Sequence, residues 1–506
     1  MINLDSNTLL ALLPPAGLAL LAMLVVVVDM VRPGRDRPVM MVAAGGLVAL
    51  LALTVLIGPL PGIGLLGGAQ EVFAGAYVRD ELTALLDLLL LSIALLTFLF
   101  GPDYLRPRGL PAAEFAAMLL FAITGAMLLG GARDLLLLFL ALELLVLPGY
   151  MLAGYAKRDG LSTEGAIKYF LLGSFSSAIF LFGLVLTFGF TGTTNISEIA
   201  TIFADGGGLG ALAPGLLMGL ALLTTGAAFK IAAVPFHYWT PDAYQGAPTP
   251  VTGYLSVGPK IAAFALILRL FVEALGGLKA DWTPLVFILA AATMTLGNLV
   301  ALSQDNIKRM LGYSSIAHTG YILVGLAAFG GAPVGSVAEQ AGLEAVLFYG
   351  VAYSFMNLCS FACVAALQRR PGVTSQIATF AGLGRRSPLL AALMLLFLLS
   401  LTGIPPLAGF WAKWYVVQAA LQVGGWLTLL AVLVMLNATI AAFYYLRVAV
   451  YMYMRDAPES APPLEIGGAT RAGLGLAALG TVAIGLIPPV TIAVIVMAEH
   501  AARALL

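Results

Sequence analysis

Residues 388–423 read PLLAALMLLFLLSLTGIPPLAGFWAKWYVVQAALQV. Apart from Lys413, these 36 residues carry no charge. As one helix they would extend about 54 Å at 1.5 Å per residue. A bilayer's hydrocarbon core is about 30 Å thick and takes about 20 residues. Ile404-Pro405-Pro406 sits in the middle, and proline removes a backbone donor and stops a helix where it stands. The stretch therefore predicts a membrane span in two pieces, with a lysine just past the break.

The rest of the chain continues the pattern. Of 506 residues, 61% are hydrophobic and 10% charged, against about a quarter charged in soluble domains. Apolar blocks begin near Leu9, Val39, Glu81, Ala113, Asp134, Ala166, Ala211, Val251, Pro284, Met310, Leu343, Pro388, Trp426 and Ala472. They predict an all-α polytopic membrane protein with about fourteen spans and no separate soluble domain. Connections such as RPGRDRP, QRRPGV and GRRSP are short and rich in turn formers. The opening MINLDSNTLL lacks the positive region of a cleaved signal, so the first span is expected to be retained.

Span 7 repeats the broken design at Pro235, in the run PFHYWTPDAYQGAPTP. Breaks five spans apart imply two five-span repeats of opposite orientation, as in many transporters, with irregular backbone lining a transport path. The expected organisation is a single membrane domain over 1–506. It comprises N-terminal spans 1–3 (1–110), a first inverted repeat of spans 4–8 (111–277), a second of spans 9–13 (278–455) and a C-terminal span 14 (456–506).

Basic residues orient the bundle. The loops after spans 1, 3, 5, 9, 11 and 13 hold fifteen: Arg32, Arg35, Arg37, Arg106, Arg108, Lys157, Arg158, Lys308, Arg309, Arg369, Arg370, Arg385, Arg386, Arg455 and Arg471. The opposite side holds four: Arg79, Arg133, Lys279 and Arg503. The rule puts the basic loops in the cytoplasm and both termini outside. With 25 basic and 25 acidic residues, the chain has no net positive charge with which to bind nucleic acid. Cys359 and Cys363, one turn apart in an apolar block, read as packing residues, and no metal-ligand spacing accompanies them.

Ionisable groups inside spans are costly and face protein or water. Six basic residues (Lys168, Lys230, Lys260, Arg269, Lys413 and Arg447) fall in apolar blocks, with Glu143 and Asp87. Lysines near helix ends can snorkel to an interface, an alternative that weighs most for Lys168 and Arg447. Lys230 and Lys413 lie deep beside the breaks, and Lys260 follows a Gly-Pro pair. An amine in an apolar interior holds its proton weakly, and a nearby carboxylate strengthens that hold. A lysine and a carboxylate of variable separation can thus load and release a proton, and Glu143 is the candidate partner of Lys230. A purely structural ion pair is the alternative. His237, two residues past Pro235, and His318 in span 10 are relay candidates, although His318 reads equally well as a packed, hydrogen-bonded histidine. His500 falls in the tail. No phosphate-binding glycine loop or nucleophile–base arrangement stands out, so no bond chemistry is expected in this chain.

These residues resemble the antiporter-like subunits of respiratory complex I and of the multisubunit sodium/proton antiporters, over nearly the whole chain. The most specific stretch is KIAAVPFHYWTPDAYQGAPTPVTGYLSVGPK, residues 230–260, supported by LALELLVLPGYML, SQDNIKRMLGYSSIAHTGYILVG and LTGIPPLAGFWAKWYV. Within the family, YQGAPTP, YSFMNL and the lysine at 413 resemble the N branch more than L or M; the M type would have glutamate near 413. The resemblance implies a coupling pair Glu143–Lys230, a modulating Lys168, a central Lys260 and an exit-side Lys413, with His237 and His318 at relay positions. It implies proton translocation in the bacterial inner membrane, driven by quinone reduction elsewhere in NADH:quinone oxidoreductase. NADH, FMN, iron–sulfur clusters and quinone would be held by other subunits, leaving no cofactor here. Partners would be membrane-arm neighbours, including further antiporter-like subunits, and the lipid bilayer. A subunit of a sodium/proton antiporter, a non-pumping structural subunit and a standalone carrier remain alternatives at this point.

Overall fold

The computed structural model describes residues 6–58, 68–204, 208, 210, 212–457, 464 and 466–506; the first five residues, on which the reading of the N-terminus partly rests, lie outside them. Spans 1 to 6 are Ser6–Val31, Asp36–Ile57, Glu81–Leu105, Ala112–Gly131, Leu135–Ala153 and Gly160–Thr191. Span 7 consists of 7a (Pro214–Lys230) and 7b (Trp239–Gly246), followed by span 8 (Thr249–Leu268). Spans 9, 10 and 11 are Lys279–Leu302, Ile307–Gly331 and Val337–Leu367. Span 12 consists of 12a (Pro388–Thr402) and 12b (Ala408–Val423), and span 13 is Thr428–Met454. Eleven described helices are long and apolar enough to cross a membrane; broken spans 7 and 12 and the more polar span 10 bring the total to fourteen. Several helices start a turn or more before their apolar blocks, because capping side chains sit ahead of them. Asp159, Asn306 and Ser336 accept hydrogen bonds from first-turn amides, satisfying donors that have no partner within the helix.

The two five-span units pack alike. Span 4 lies along 5, span 5 along 6, and span 6 along both halves of 7; spans 9, 10, 11 and the halves of 12 meet in the same order. Each unit also carries the same backbone bridge. Leu135 N–H donates to Thr194 O and Ile196 N–H to Arg133 O; in the second unit Ile307 N–H donates to Ser375 O and Ile377 N–H to Asp305 O. The bridge joins the start of span 5 to the segment after span 6, and the start of span 10 to the segment after span 11. An odd number of spans per unit turns the second bridge to the other end of the bundle.

Span 8 is the axis: every residue from Thr249 to Leu268 is buried. Beyond Leu268 it continues as a π-turn, Arg269–Ala274, a device that redirects side chains and is common at functional sites. Arg269, fully buried, donates from Nη2 to Asp80 at 2.7 Å and from Nε to Gly130 O at 3.1 Å, and pairs with Glu273. Arg79 meets Asp87 at 2.7 Å with neither side chain exposed. The Arg269 contacts lock the end of span 8 to the start of span 3, and the Arg79–Asp87 pair ties the adjoining hairpin to span 3. Arg79 belongs to a small antiparallel hairpin of β1 (Gln70–Val72) and β2 (Tyr77–Arg79), too short for an alternating pattern to reveal.

From its sequence the C-terminus is expected to form one unbroken span, and the structure differs. Span 14 is also broken, into 14a (Gly468–Leu486) and 14b (Pro488–Arg503). Pro488 and Pro489 are the cause, since neither offers an N–H to Ile484 O or Gly485 O four residues back. Thr491 Oγ1 donates to the first at 2.6 Å and Trp411 Nε1 to the second at 2.9 Å. Gly485 packs against Pro406, Leu407 and Ala408, so the third break lies beside the second.

Candidate proton path

Prolines at the breaks and in span 8 free backbone carbonyls, and polar side chains around the deep lysines take them up. A proline at position i removes the amide that would bond the carbonyl of i−4, and an unpaired buried carbonyl costs about 1–3 kcal/mol. Pro235 frees Ile231 O, which accepts from Thr319 Oγ1 at 2.9 Å. Pro259 frees Leu255 O, which accepts from Tyr244 Oη at 3.0 Å. Pro405 and Pro406 free Leu401 O and Thr402 O, and Lys413 Nζ donates to both, at 3.0 and 2.7 Å. Both span breaks contain a cis X-Pro bond, Val234–Pro235 and Pro405–Pro406. The breaks are thus wired into the polar side chains between them.

In the first unit, Lys230 ends 7a and is only 8% exposed. Its Nζ donates to Ser177 Oγ of span 6 at 3.1 Å. Glu143 of span 5 is near enough for its charge to act on it, but no ion pair joins them, and Glu143 Oε1 is buried without a hydrogen-bond partner among the described residues. The expected partners are therefore brought near each other but not together. Aromatic rings wall this region: Tyr150 meets Tyr169 edge-on with centroids 4.6 Å apart, and Tyr169 stacks on Trp239 of 7b at 4.4 Å.

At the axis, Lys260 is 2% exposed. Its Nζ donates to Ser315 O at 2.8 Å and to Thr319 Oγ1 at 3.1 Å, both on span 10. Thr319 therefore joins the central lysine to the carbonyl freed at the first break. Tyr353 Oη donates to Ser315 Oγ at 2.7 Å and Asn357 Nδ2 to Ser256 Oγ at 2.8 Å, which continues the polar line between spans 8 and 11. His318 lies in this layer. Its Nδ1 is 2.7 Å from Tyr349 Oη and its Nε2 3.2 Å from Tyr445 Oη; Tyr445 also bonds Ser314. In the second unit, Lys413 is 5% exposed, with its ammonium 5.0 Å from the centroid of the Tyr321 ring. Lys230, Lys260, His318 and Lys413 thus form a buried series from one break to the other.

Two expected site residues fall elsewhere. Lys168 is half exposed and bridges Glu164 and Asp242, each at 2.7 Å. His237 stacks on Tyr238, and its Nδ1 has no hydrogen-bond partner among the described residues; it contacts none of the three lysines by hydrogen bond. The structure adds groups that the sequence reading missed. Asp242 of 7b holds Lys168 with one oxygen and Arg309 of span 10 with the other, at 2.5 Å. Lys308, read as a loop residue, is buried and caps the C-terminal end of 7b, donating to Gln245 O at 2.9 Å and Ala247 O at 2.5 Å, where a helix carries partial negative charge. The two units are therefore tied through 7b. The signal in the sequence was Asp242, a lone acid in the polar run after the break. Cys359 and Cys363 are buried free thiols, and no group of three or more metal-ligating side chains occurs among the described residues.

Comparison with known proteins gives one family. The family described as NADH:quinone oxidoreductase/Mrp antiporter, transmembrane, matches residues 132–439. NADH-quinone oxidoreductase subunit N 2 of Roseiflexus castenholzii is 44% identical over 428 residues, 84% of this chain and 85% of that one. Subunit N of Trichlorobacter lovleyi is 39% identical over 479 residues, 94% of each chain. A chain of respiratory complex I from Thermus thermophilus matches with a TM-score of 0.76 at 32% identity, covering 95% of this chain and 98% of its own. A chain of the Mrp complex from Dietzia sp. matches with a TM-score of 0.84 at 23% identity, covering 99% and 97%, a likeness of fold alone.

Proposed function

Because the chain belongs to the NADH:quinone oxidoreductase/Mrp antiporter transmembrane family, we propose that it is an N-type, proton-translocating subunit of the membrane arm of NADH:quinone oxidoreductase. The observation that carries this reading is the buried series Lys230, Lys260, His318 and Lys413, which runs between two helix breaks whose freed carbonyls those side chains or their partners occupy. Amines held this far from water respond strongly to small changes in a neighbouring charge.

A proton enters from the cytoplasm through the first unit and loads Lys230, with Glu143 setting its affinity. It passes through water and Lys260, with His318 beside the path, to Lys413, and leaves through the second unit. The excess of basic residues in the loops after odd-numbered spans supports a cytoplasmic face at that end and outward termini. Lys168 acts through Asp242, by adjusting how 7b sits against spans 6 and 10. The driving force is quinone reduction in other subunits, which shifts the Glu143–Lys230 balance through the neighbouring membrane-arm subunits. NADH, FMN, iron–sulfur clusters and quinone belong to those other subunits. Subunit N relatives at 39–44% identity favour this reading over a sodium/proton antiporter, for which the support is likeness of fold.

Reconstituted complex with Lys230→Ala or Glu143→Ala tests the proposal. Both variants should assemble, lose proton pumping and lose coupled quinone reduction. Normal pumping in both would remove it.

A further inference from the structure

Two hydroxyl groups accompany the Glu143–Lys230 pair, one meeting the lysine and one on the helix of the acid. Lys230 reaches Ser177 Oγ rather than the carboxylate. Tyr150 lies seven residues after Glu143 on span 5, two turns on and on the same face. Its Oη is buried and has no hydrogen-bond partner among the described residues, and neither has Glu143 Oε1. The Tyr150 hydroxyl rests against Gly173 of span 6, where a Cβ would stand 2.2 Å from Oη. Gly173 and Ser177 are four residues apart, hence on one face of span 6. The glycine makes room for the tyrosine oxygen one turn from the serine that the lysine holds.

Ring packing alone does not account for this arrangement. Tyr150 packs edge-on against Tyr169 and Phe170, at 4.6 and 5.7 Å between centroids. Phenylalanine would keep both contacts without burying an unpaired hydroxyl, which costs free energy. The Glu143–Tyr150 and Tyr150–Ser177 steps are not direct hydrogen bonds, so each needs a bridging water to carry a proton.

We propose that Tyr150 and Ser177 are relay hydroxyls that carry the proton between Lys230 and Glu143, an inference resting on the pumping function above. The Glu143 carboxyl O–H bond breaks as its proton passes to Tyr150 Oη, the Tyr150 O–H proton passes to Ser177 Oγ, and the Ser177 O–H proton forms a new N–H bond on the neutral Lys230 amine, the first two transfers running through a bridging water. Each hydroxyl loses one O–H bond and gains another, no electrons change hands, and rotation of the two O–H groups resets the wire.

The test measures pumping by the intact complex in liposomes for Y150F, S177A, the double variant, S177T, G173A and K230A. Y150F and S177A should each slow pumping about ten-fold or more. The double variant should be no slower than either, since cutting a series path twice adds nothing. S177T should restore the rate, and G173A, which displaces the tyrosine oxygen, should behave as Y150F. Full-rate pumping by Y150F and S177A while K230A is silent would overturn the relay and leave the pumping role standing. A double variant slowed by the product of the single effects would also overturn it. Normal pumping by K230A would instead remove the underlying function. If Y150F fails to assemble, S177A set against S177T decides.

Discussion

Replacing Lys413 separates its structural role from the conducting role proposed for it. Its ammonium occupies both carbonyls freed by Pro405 and Pro406, and no backbone amide can take its place there. Lys413→Met keeps the stem but removes the donors. Two buried carbonyls at about 1–3 kcal/mol each give a loss of about 2–6 kcal/mol, concentrated at the break. Amides near 12a's end and 12b's start should then lose protection from hydrogen exchange by about 30-fold to about 10⁴-fold, at about 1.4 kcal/mol per ten-fold. Lys413→Arg retains donors and charge but never releases its proton. It should hold exchange within about ten-fold of the unaltered protein and still fail to pump. Hydrogen–deuterium exchange of the intact complex, read over residues 397–416 beside a pumping assay, gives both answers. Unchanged exchange in the Met variant would refute the carbonyl argument. Normal pumping by the Arg variant would refute the need for a releasable proton.

Two further outcomes concern the frame around the path. Arg79→Met alone should cost about 3–5 kcal/mol by stranding Asp87 in a fully buried site, whereas Arg79→Met with Asp87→Leu should come back near neutral; thermal denaturation of the assembled complex compares them. Asp242→Asn frees Lys168 and Arg309, and because all three are partly exposed solvent screening holds the loss to about 1 kcal/mol. That loss should shrink as salt rises, and a thermal midpoint equally depressed at low and high salt would contradict it.

The spans were legible because helix length and membrane thickness leave little choice. The breaks were legible because Pro235 and Pro405-Pro406 interrupt apolar runs, and the deep lysines stood out through their cost. Pro488-Pro489 carried the same signal, yet it lies so near the C-terminus that a single span seemed sufficient. Groups defined by what comes to meet them were not legible. Lys308 sits in a basic pair with Arg309 and reads as a loop residue until 7b arrives to be capped. Asp242 has no partner nearby in sequence, since Lys168 and Arg309 reach it from spans 6 and 10. Tyr150 and Ser177 are ordinary residues of apolar helices, singled out only when Gly173 shows what fills the space between them. His237 shows the converse, for its place past a break suggested more contact with the path than the structure gives it.

The paired backbone bridges have a mechanical consequence. Each five-span unit is pinned at one face, by Leu135 with Thr194 or by Ile307 with Ser375, and interrupted near its middle. With the pins at opposite faces, losing the bonds of one bridge would free the end of its own unit while the other unit keeps its fastening at the far side of the bundle.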